Sequence, residues 1–294
     1  MMTNGDKVRL NKFMADHGIA SRRRCDELIT EGKVMIDGEI ITKLGTVVDP
    51  SIQRVEIDGC ILKADSMERR YYLLNKPAGV ICTNEHRESK LRAIDMITDR
   101  GKGRIYTVGR LDEDTVGLVI LTSDGDFANL VMHPRYGVSK TYLVKIQGQI
   151  DDASLMKIRD GIFLSDGRTA GARVLVKKRS ARQSTLMVTL HEGKNREVRR
   201  VFARFGWKVI SLRRIRIGEL TDRGLKVGHW RALKAAEVAT LRNIAEGKQA
   251  ESELGQNKRR VRGGGQVSSR RGAGQGRPNG RRVGQAGGVR RRGR

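Results

Sequence analysis

The stretch GRLDEDTVGLVILTSDG, residues 109–125, places four carboxylates beside a short apolar run. They are Asp112, Glu113, Asp114 and Asp124. The surrounding chain is strongly basic, with a formal net charge of +26. Carboxylates grouped in this way can bind a metal ion, stabilise a loop, or act as a nucleophile or base on an anionic substrate.

The metal interpretation of this loop has little support. A Ca²⁺ loop needs further oxygen ligands in sequence, whereas residues 115–117 lead directly into an apolar strand. A Mg²⁺ nuclease using Asp112 and Asp114 remains open, although no histidine lies nearby to support it. A purely structural loop, in which Asp112 caps the following turn, also remains open. We expect no metal ion at this loop.

A second candidate segment, HEGKNREVRRVFARFGWKV at residues 191–209, has the spacing of an amphipathic helix beginning at Asn195. At ~100° per residue the apolar side chains fall on one buried face. These are Val198, Val201, Phe202 and Phe205, whereas Arg196, Arg200 and Arg204 fall on the solvent-facing side. Arg199 lies on the flank, about 110° from the centre of the apolar face. An arginine leaving bulk water generally needs a carboxylate partner, so we expect one for Arg199.

Composition indicates the kind of partner. The chain has 294 residues, enough for roughly two domains, and 59 Lys and Arg against 33 Asp and Glu. This excess of positive charge favours nucleic acid over a membrane, because no run approaches the ~20 apolar residues of a spanning helix. The N-terminus lacks the apolar region of a signal peptide, so a cytoplasmic location is expected. The three widely spaced cysteines predict neither a disulfide framework nor a zinc site.

The first predicted domain, residues 8–66, contains two helices and a hairpin. Leu10, Phe13 and Met14 share one helical face, and Ser21 is a good N-cap for a second helix. Arg22, Arg23 and Arg24 crowd the first turn of that helix, where cations oppose the helix dipole. This local cost suggests a phosphate partner, with a solvated basic face as the alternative.

These residues resemble the S4 RNA-binding domain. The family pattern is matched by Arg9-Leu10-Asn11-Lys12, by residues 18–23, and by Gly32 to Gly38. The resemblance implies that the arginine-rich second helix lies against structured RNA. The residues that it places at the RNA are Arg9, Lys12, Ser21, Arg22, Arg23 and Arg24.

The second predicted domain, residues 69–245, alternates strands and helices without a strict βαβ order. We therefore expect an α+β fold with a mixed, mainly antiparallel sheet. Neither a dinucleotide-binding nor a P-loop motif opens a helix after a strand, so those folds are disfavoured.

The C-terminal segment, residues 250–294, is predicted to be a disordered tail. From Asn257 onward it carries 13 positive charges, no acid and 11 glycines, with few large apolar groups. Such a composition cannot bury a core, and its charge predicts sequence-independent attraction to phosphate. A tail that serves only solubility is the alternative.

Four motifs of the second domain occur together. They are LNKPxGV at residues 74–80, GRLD with Thr115 and Gly117-Leu118, Lys140-Thr141-Tyr142, and EGxNRxVRR at residues 192–200. In this order, and with the S4 pattern, the chain resembles the RsuA/RluB branch of ribosomal RNA pseudouridine synthases over about residues 8–240.

The resemblance implies a reaction and the residues that perform it. The family isomerises uridine to pseudouridine without a cofactor, its catalytic aspartate maps to Asp112, and Arg199 and Tyr142 match the basic partner and the base-stacking tyrosine. Arg110 is expected to fill the gap left by the flipped base. Further RNA contacts are expected from Lys76, Lys194, Asn195, Arg196 and Arg200. The expected partner is ribosomal RNA, with the large-subunit (23S) molecule favoured over the small-subunit one, and the enzyme is expected to be a monomer. A non-catalytic S4-type RNA-binding or ribosome-assembly factor is the rival class.

Overall fold

The computed structural model describes residues 7–62, 68–85 and 89–247. The predicted tail, residues 250–294, therefore lies outside the described residues, as does the end of the first predicted domain. In the part of the chain that is described, no helix is long and apolar enough to cross a membrane.

The N-terminal part contains two helices and six short strands, as listed here: β1 (Val8–Arg9), α1 (Leu10–Asp16), α2 (Arg22–Thr30), β2 (Val34–Ile36), β3 (Glu39–Ile41), β4 (Val47–Val48), β5 (Val55–Ile57) and β6 (Cys60–Leu62). β1 pairs with β4, and the other strands form an antiparallel sheet in the order β3-β2-β5-β6. The predicted apolar face is confirmed, since Leu10, Phe13 and Met14 are buried against α2. The hairpin predicted around Asp37-Gly38 is formed by β2 and β3.

The second part is built on a nine-stranded mixed sheet. Its strands and the flanking hairpin are β7 (Tyr71–Lys76), β8 (Tyr106–Val108), β9 (Val116–Thr122), β10 (Lys140–Gln147), β11 (Phe163–Leu164), β12 (Gly167–Arg168), β13 (Arg173–Arg179), β14 (Gln183–Leu190), β15 (Val209–Ile217), β16 (Leu220–Thr221) and β17 (Trp230–Ala232). The main path runs β13-β14-β10-β15-β9-β7-β17, with β8 beside β9 and β16 beside β15; β11 and β12 pair separately. Only the β9–β15 pairing in this path is parallel, so the predicted fold class is confirmed.

Four α-helices cover this sheet: α3 (Gly125–Met132), α4 (Asp152–Asp160), α5 (Glu197–Ala203) and α6 (Ala235–Ala245); a 3-10 turn spans Pro134–Tyr136. α3 and α6 pack on β7 and β9 from one side. α4 and α5 pack on β10, β14 and β15, where Phe202 is fully buried. Burying one phenylalanine contributes roughly 1.5–3 kcal/mol, so Phe202 holds α5 firmly on the sheet.

The parallel contact between β9 and β15 requires a glycine. Gly117 lies opposite Arg214 and has a φ of +121°. A Cβ at this position would lie 2.2 Å from the Arg214 carbonyl oxygen, so no larger residue fits without moving the strands. This close approach joins the two halves of the sheet directly after residues 112–115.

Candidate active site

The loop that carries Asp112, Glu113 and Asp114 lies between β8 and β9, at one end of the sheet. The backbone N–H of Thr115 donates to the Asp112 carbonyl at 3.1 Å, and the Thr115 side chain is buried, so the loop turns tightly into β9. Asp112 keeps 27% of its side chain exposed. A reactive carboxylate on a loop anchored to a rigid strand is well placed to meet a large substrate.

Lys76 fixes the backbone of this loop. Its ammonium group is fully buried and donates to the carbonyl oxygens of Pro77 at 2.9 Å, Val80 at 2.7 Å and Glu113 at 3.3 Å. Gly79 N–H donates to the same Glu113 carbonyl at 2.9 Å. Burial lowers the pKa of Lys76, and the nearby carboxylates oppose that shift. The prediction that Lys76 contacts RNA is therefore wrong, because this cation has no exposed surface and positions the loop instead.

Asp112 faces two arginines from the segment that begins α5. Its Oδ2 lies 3.2 Å from Nη1 of Arg196 and 3.9 Å from Nε of Arg199. Arg199 also holds Asp114, with Nη2 2.8 Å from its carboxylate, and only 16% of the Arg199 side chain is exposed. Two carboxylates and two guanidinium groups thus form one ionic cluster. The sequence left Asp114 without a role, and the structure gives it the short contact to Arg199.

The start of α5 explains how Arg196 reaches Asp112. The helix begins at Glu197, two residues later than predicted, and Arg196 takes the left-handed conformation with a φ of 46°. Such a φ is costly for a residue with a Cβ and turns the Arg196 side chain away from the helical phase. Arg196 is exposed, as predicted, but it precedes the helix and also pairs with Asp112. Arg200 is also engaged, since it donates twice to Asp166 at 2.8 Å.

Tyr142 enters the site from β10 at an irregular position. The β10–β15 register shifts between Thr141 and Tyr142, which lie opposite Arg216 and Arg214. A bulge of this type re-aims a side chain, and bulges are frequent beside active sites. Tyr142 is half-buried. It packs against two groups of buried apolar side chains, one that includes α4 and α5 and one that includes β7 and β9.

A small cavity brings these groups together. It has a volume of about 60 Å³. Its lining consists of Arg110, Leu111, Asp112, Thr115, Tyr142, Leu190, Gly193, Lys194, Arg196, Glu197, Val198 and Leu212. The structure thus places two of the predicted catalytic residues, Asp112 and Tyr142, in one cavity, and Arg199 in contact with Asp112. Ligand pockets usually have roughly 300 Å³ or more, so a nucleotide can enter only if a side chain moves.

The remaining predicted RNA contacts near the cavity differ in exposure. Arg110 and Asn195 are exposed. Lys194 is half-buried and donates to the Arg168 carbonyl at 2.7 Å. It does not pair with Asp112, which leaves Arg196 and Arg199 as the cations at that carboxylate. In the described ranges, no group of three or more His, Cys, Asp or Glu side chains could hold a metal ion.

Glu197 is a buried acid in this cavity that sequence reasoning missed. One oxygen accepts from Lys194 N–H at 3.0 Å, and the other is buried without a hydrogen-bond partner. Burial, followed by the neighbouring carboxyl group of Glu192, raises the pKa of Glu197 to about 7, and the Lys194 contacts only partly oppose this. Glu192 itself accepts from Ala170 N–H at 2.6 Å. The segment that carries Arg196 is thus stabilised by an acid that is largely protonated below neutral pH.

Glu197→Gln is expected to make the protein more stable than wild type at pH 8 and about equally stable at pH 5. Because the folded pKa lies above the unfolded value, wild-type stability is lost as pH rises through about 7, and glutamine removes that loss. The difference should be on the order of 2 kcal/mol in urea unfolding. Glu237→Gln is the matched control with the opposite sign, because Arg231 lowers the pKa of Glu237. A Glu197→Gln effect that is the same at both pH values would contradict this assignment.

The predicted RNA-binding residues of the N-terminal part are mostly exposed. Arg9, Arg22, Arg23 and Arg24 reach solvent, and Arg24 pairs with Glu27 and Glu31. Ser21 accepts from Arg24 N–H at 3.2 Å, which confirms it as the N-cap. Lys12 is half-buried and pairs with Asp16 at 3.0 Å and with Asp126 of α3 at 3.1 Å. Lys12 thus links α1 to the second part of the protein.

Comparisons with known proteins agree with this fold. The sequence profile of the RNA pseudouridylate synthase family matches residues 70–204, and that of the S4 domain matches residues 8–51. A solved structure described as a crystal structure of pseudouridylate synthase superposes with a TM-score of 0.58 at 29% identity, covering 80% of this chain and 99% of that one.

The sequence also matches curated relatives over most of their length. The ribosomal large subunit pseudouridine synthase B of Bacillus subtilis (strain 168) is 43% identical over 240 residues, 81% of this chain and 97% of that protein. The protein of the same name from Escherichia coli O157:H7 is 36% identical over 244 residues, 81% of this chain and 83% of that protein.

An S4 domain followed by a mixed sheet that presents an aspartate loop defines an RNA-modifying isomerase. The chain belongs to the RNA pseudouridine synthase family, in the group that carries an N-terminal S4 domain. The rival interpretation as a non-catalytic RNA-binding factor is not favoured.

Proposed function

We propose that this enzyme converts one uridine of large-subunit ribosomal RNA to pseudouridine. The large-subunit choice is supported by the relatives at 43% and 36% identity, whose names specify that subunit. The observation that carries the catalytic part is the contact of Asp112 with Arg196 and Arg199, beside a cavity that Asp112, Arg196 and Tyr142 line.

Asp112 is proposed as the reacting carboxylate. The reaction breaks the N1–C1′ bond of uridine, turns the uracil and forms a C5–C1′ bond, after which the C5 proton is lost and N1 is protonated. No electrons are gained or lost overall. As C1′ develops positive charge, Asp112 either attacks it or removes a proton from C2′ to give a glycal. Both routes need an ionised carboxylate beside the sugar.

The arginines are proposed to hold Asp112 in place. Arg199 is the more strongly fixed of the two, because its short contact to Asp114 holds the guanidinium against the loop. Preorganised charge of this kind stabilises a developing transition state without reorganisation. Tyr142 is proposed to stack on the detached uracil and to assist proton transfer at C5.

Arg196 is proposed to leave Asp112 when the RNA binds. Its side chain is 47% exposed, and the cavity that it closes is far smaller than a nucleotide needs. A phosphate of the flipped uridine offers Arg196 an alternative anion. Arg110, which is exposed at the rim, is proposed to fill the space left in the RNA stack.

Mapping pseudouridines in both ribosomal RNAs, from cells with and without this protein, tests the substrate assignment. Loss of one large-subunit site is expected. A lost site confined to small-subunit RNA would transfer the assignment to that subunit, and unchanged maps of both RNAs would overturn it. We further propose that the enzyme acts in the cytoplasm as a monomer, and light scattering can test the monomeric state. Its proposed domains are residues 8–66 and 69–245, and limited proteolysis can test these bounds.

Deleting residues 257–294 is expected to weaken binding to any RNA and to reduce its salt dependence. The segment carries 13 positive charges, and each lost phosphate contact lowers the log–log salt slope by roughly 0.7–0.9. Binding isotherms at several salt concentrations measure this slope, and turnover at saturating RNA serves as the control for folding. An unchanged slope would mean that the segment does not contact RNA.

A further inference from the structure

Phe163 is an exposed aromatic residue outside the cavity described above. It begins the β11–β12 hairpin, and 73% of it is exposed. Among the described residues, every other phenylalanine, tyrosine or tryptophan is buried or half-buried. The Arg168 guanidinium lies 6.0 Å from the ring centroid. A large ring left in water beside a cation offers a stacking surface for another π-system.

The backbone that carries this ring is closely packed. Ile162 N–H donates to the Thr169 hydroxyl at 2.9 Å, and Thr169 N–H donates to the Ile162 carbonyl at 2.8 Å. Gly161 has a φ of +89°, and a Cβ there would lie 2.3 Å from the Thr169 carbonyl oxygen. The base of the hairpin is thus closely packed, so little ordering cost remains for a ligand that stacks on Phe163.

An open groove of about 540 Å³ runs beside the ring. It is lined by Lys157, Asp160, Gly161, Ile162, Phe163, Arg204 and Phe205. Two exposed cations, Lys157 and Arg204, thus accompany two aromatic rings, with Asp160 as the opposing acid. Aromatic platforms combined with cations are the features that bind unpaired nucleotides.

The hairpin is connected to the candidate active site. Asp166 in its turn accepts two hydrogen bonds from Arg200, the residue after Arg199. The Arg168 carbonyl accepts from Lys194, which lines the cavity beside Asp112. RNA that reaches Asp112 therefore passes next to the elements that carry this groove.

We propose that the groove holds an unpaired nucleotide of the RNA substrate, stacked on Phe163 with its phosphates at Lys157 and Arg204. This second contact lies outside the cavity that receives the target uridine. It rests on the proposed function only in taking ribosomal RNA as the partner. The charge of the groove and its connection to the site favour RNA over a protein ligand.

Photo-crosslinking locates this contact directly. Large-subunit ribosomal RNA transcribed with 5-bromouridine is irradiated with the full-length protein, which is then cleaved with trypsin. Cleavage after Arg159 and Arg168 releases residues 160–168, the peptide that contains Phe163. A crosslink on Phe163 is expected. Crosslinks that form elsewhere in the protein but not on this peptide would overturn the proposal. The same crosslink formed only with small-subunit RNA would support the groove and overturn the large-subunit assignment.

Variants separate stacking from general charge attraction. Phe163→Ala should raise the Kd for the RNA by about fivefold or more, the cost of losing one stacked base, and Phe163→Trp should restore it. Lys157→Gln with Arg204→Gln should weaken the crosslink on Phe163. Arg223→Gln, an exposed charge change outside the groove, is the matched control and should leave the crosslink intact. Equal Kd values for Phe163→Ala and wild type, or self-association that Phe163→Ala abolishes, would overturn the proposal.

Discussion

Asp112→Asn is expected to abolish pseudouridine formation while leaving RNA affinity within a few-fold. Asparagine keeps the shape of the side chain but cannot serve as the nucleophile or base that both routes require. The loss should be on the order of 10⁴-fold or more, the scale seen when an enzyme loses its reacting group. Single-turnover pseudouridine formation and a binding isotherm on the same RNA measure the two quantities separately.

Glu113→Gln is the matched control for this experiment. Glu113 is the next residue of the loop, and its carboxylate pairs with the exposed Lys90 at 2.6 Å, away from Arg196 and Arg199. Its backbone carbonyl, which receives Lys76, is unchanged by the substitution. We therefore expect near-normal turnover. Retained turnover in purified Asp112→Asn would remove Asp112 from the chemistry.

Sequence spacing predicted the buried face of α5 because helix periodicity depends on side-chain size and polarity alone. Val198, Val201 and Phe202 are buried, and Arg199 contacts carboxylates, as its flank position predicted. The helical projection did not predict the contact of Arg196 with Asp112, because a left-handed residue before the helix breaks the 100° step on which the projection rests. A positive φ outside glycine has no reliable sequence signal.

The central strand β15 has no clear signal in the sequence, for a different reason. Its sequence, VISLRRIRI, contains three arginines, which are unusual inside a sheet. The structure accommodates each of them: Arg214 is buried and donates to the Leu118 carbonyl at 2.6 Å, Arg213 pairs with Asp222 at 2.6 Å, and Arg216 is exposed. Leu118 lies 96 residues from Arg214 in the chain, so local composition could not reveal the contact that accommodates the buried arginine.

Lys76 shows the limit of assigning roles by residue type. A lysine in an RNA-binding protein is usually a phosphate contact, and the sequence predicted one here. Its three acceptors are backbone carbonyl oxygens at residues 77, 80 and 113, which carry no sequence signature at all. Charge alone therefore predicted the RNA partner correctly while misplacing one of the cations.

Arg199→Ala is expected to slow the chemical step by about 10²–10³-fold, the usual effect of losing one fixed electrostatic partner at a reacting group. Arg199 lies 3.9 Å from Asp112 and 2.8 Å from Asp114, so its loss removes the ion pair of Asp114 and leaves Asp112 with Arg196 alone. Single-turnover rates at saturating RNA measure this effect without contribution from binding.

Arg200→Ala provides the comparison, since the adjacent residue carries the same charge but pairs with Asp166 of the hairpin. It should mainly weaken RNA binding. Arg199 contacts both Asp112 and Asp114. Asp114→Asn removes the charge at one of these contacts and leaves the other, so it separates their effects. If Arg199 acts through Asp114, adding Asp114→Asn to Arg199→Ala should cost little more than Arg199→Ala alone. If the two losses multiply, Arg199 acts independently of Asp114, through its own contact with Asp112. If Arg200→Ala slows chemistry as much as Arg199→Ala, Arg199 is not the specific charge partner of Asp112.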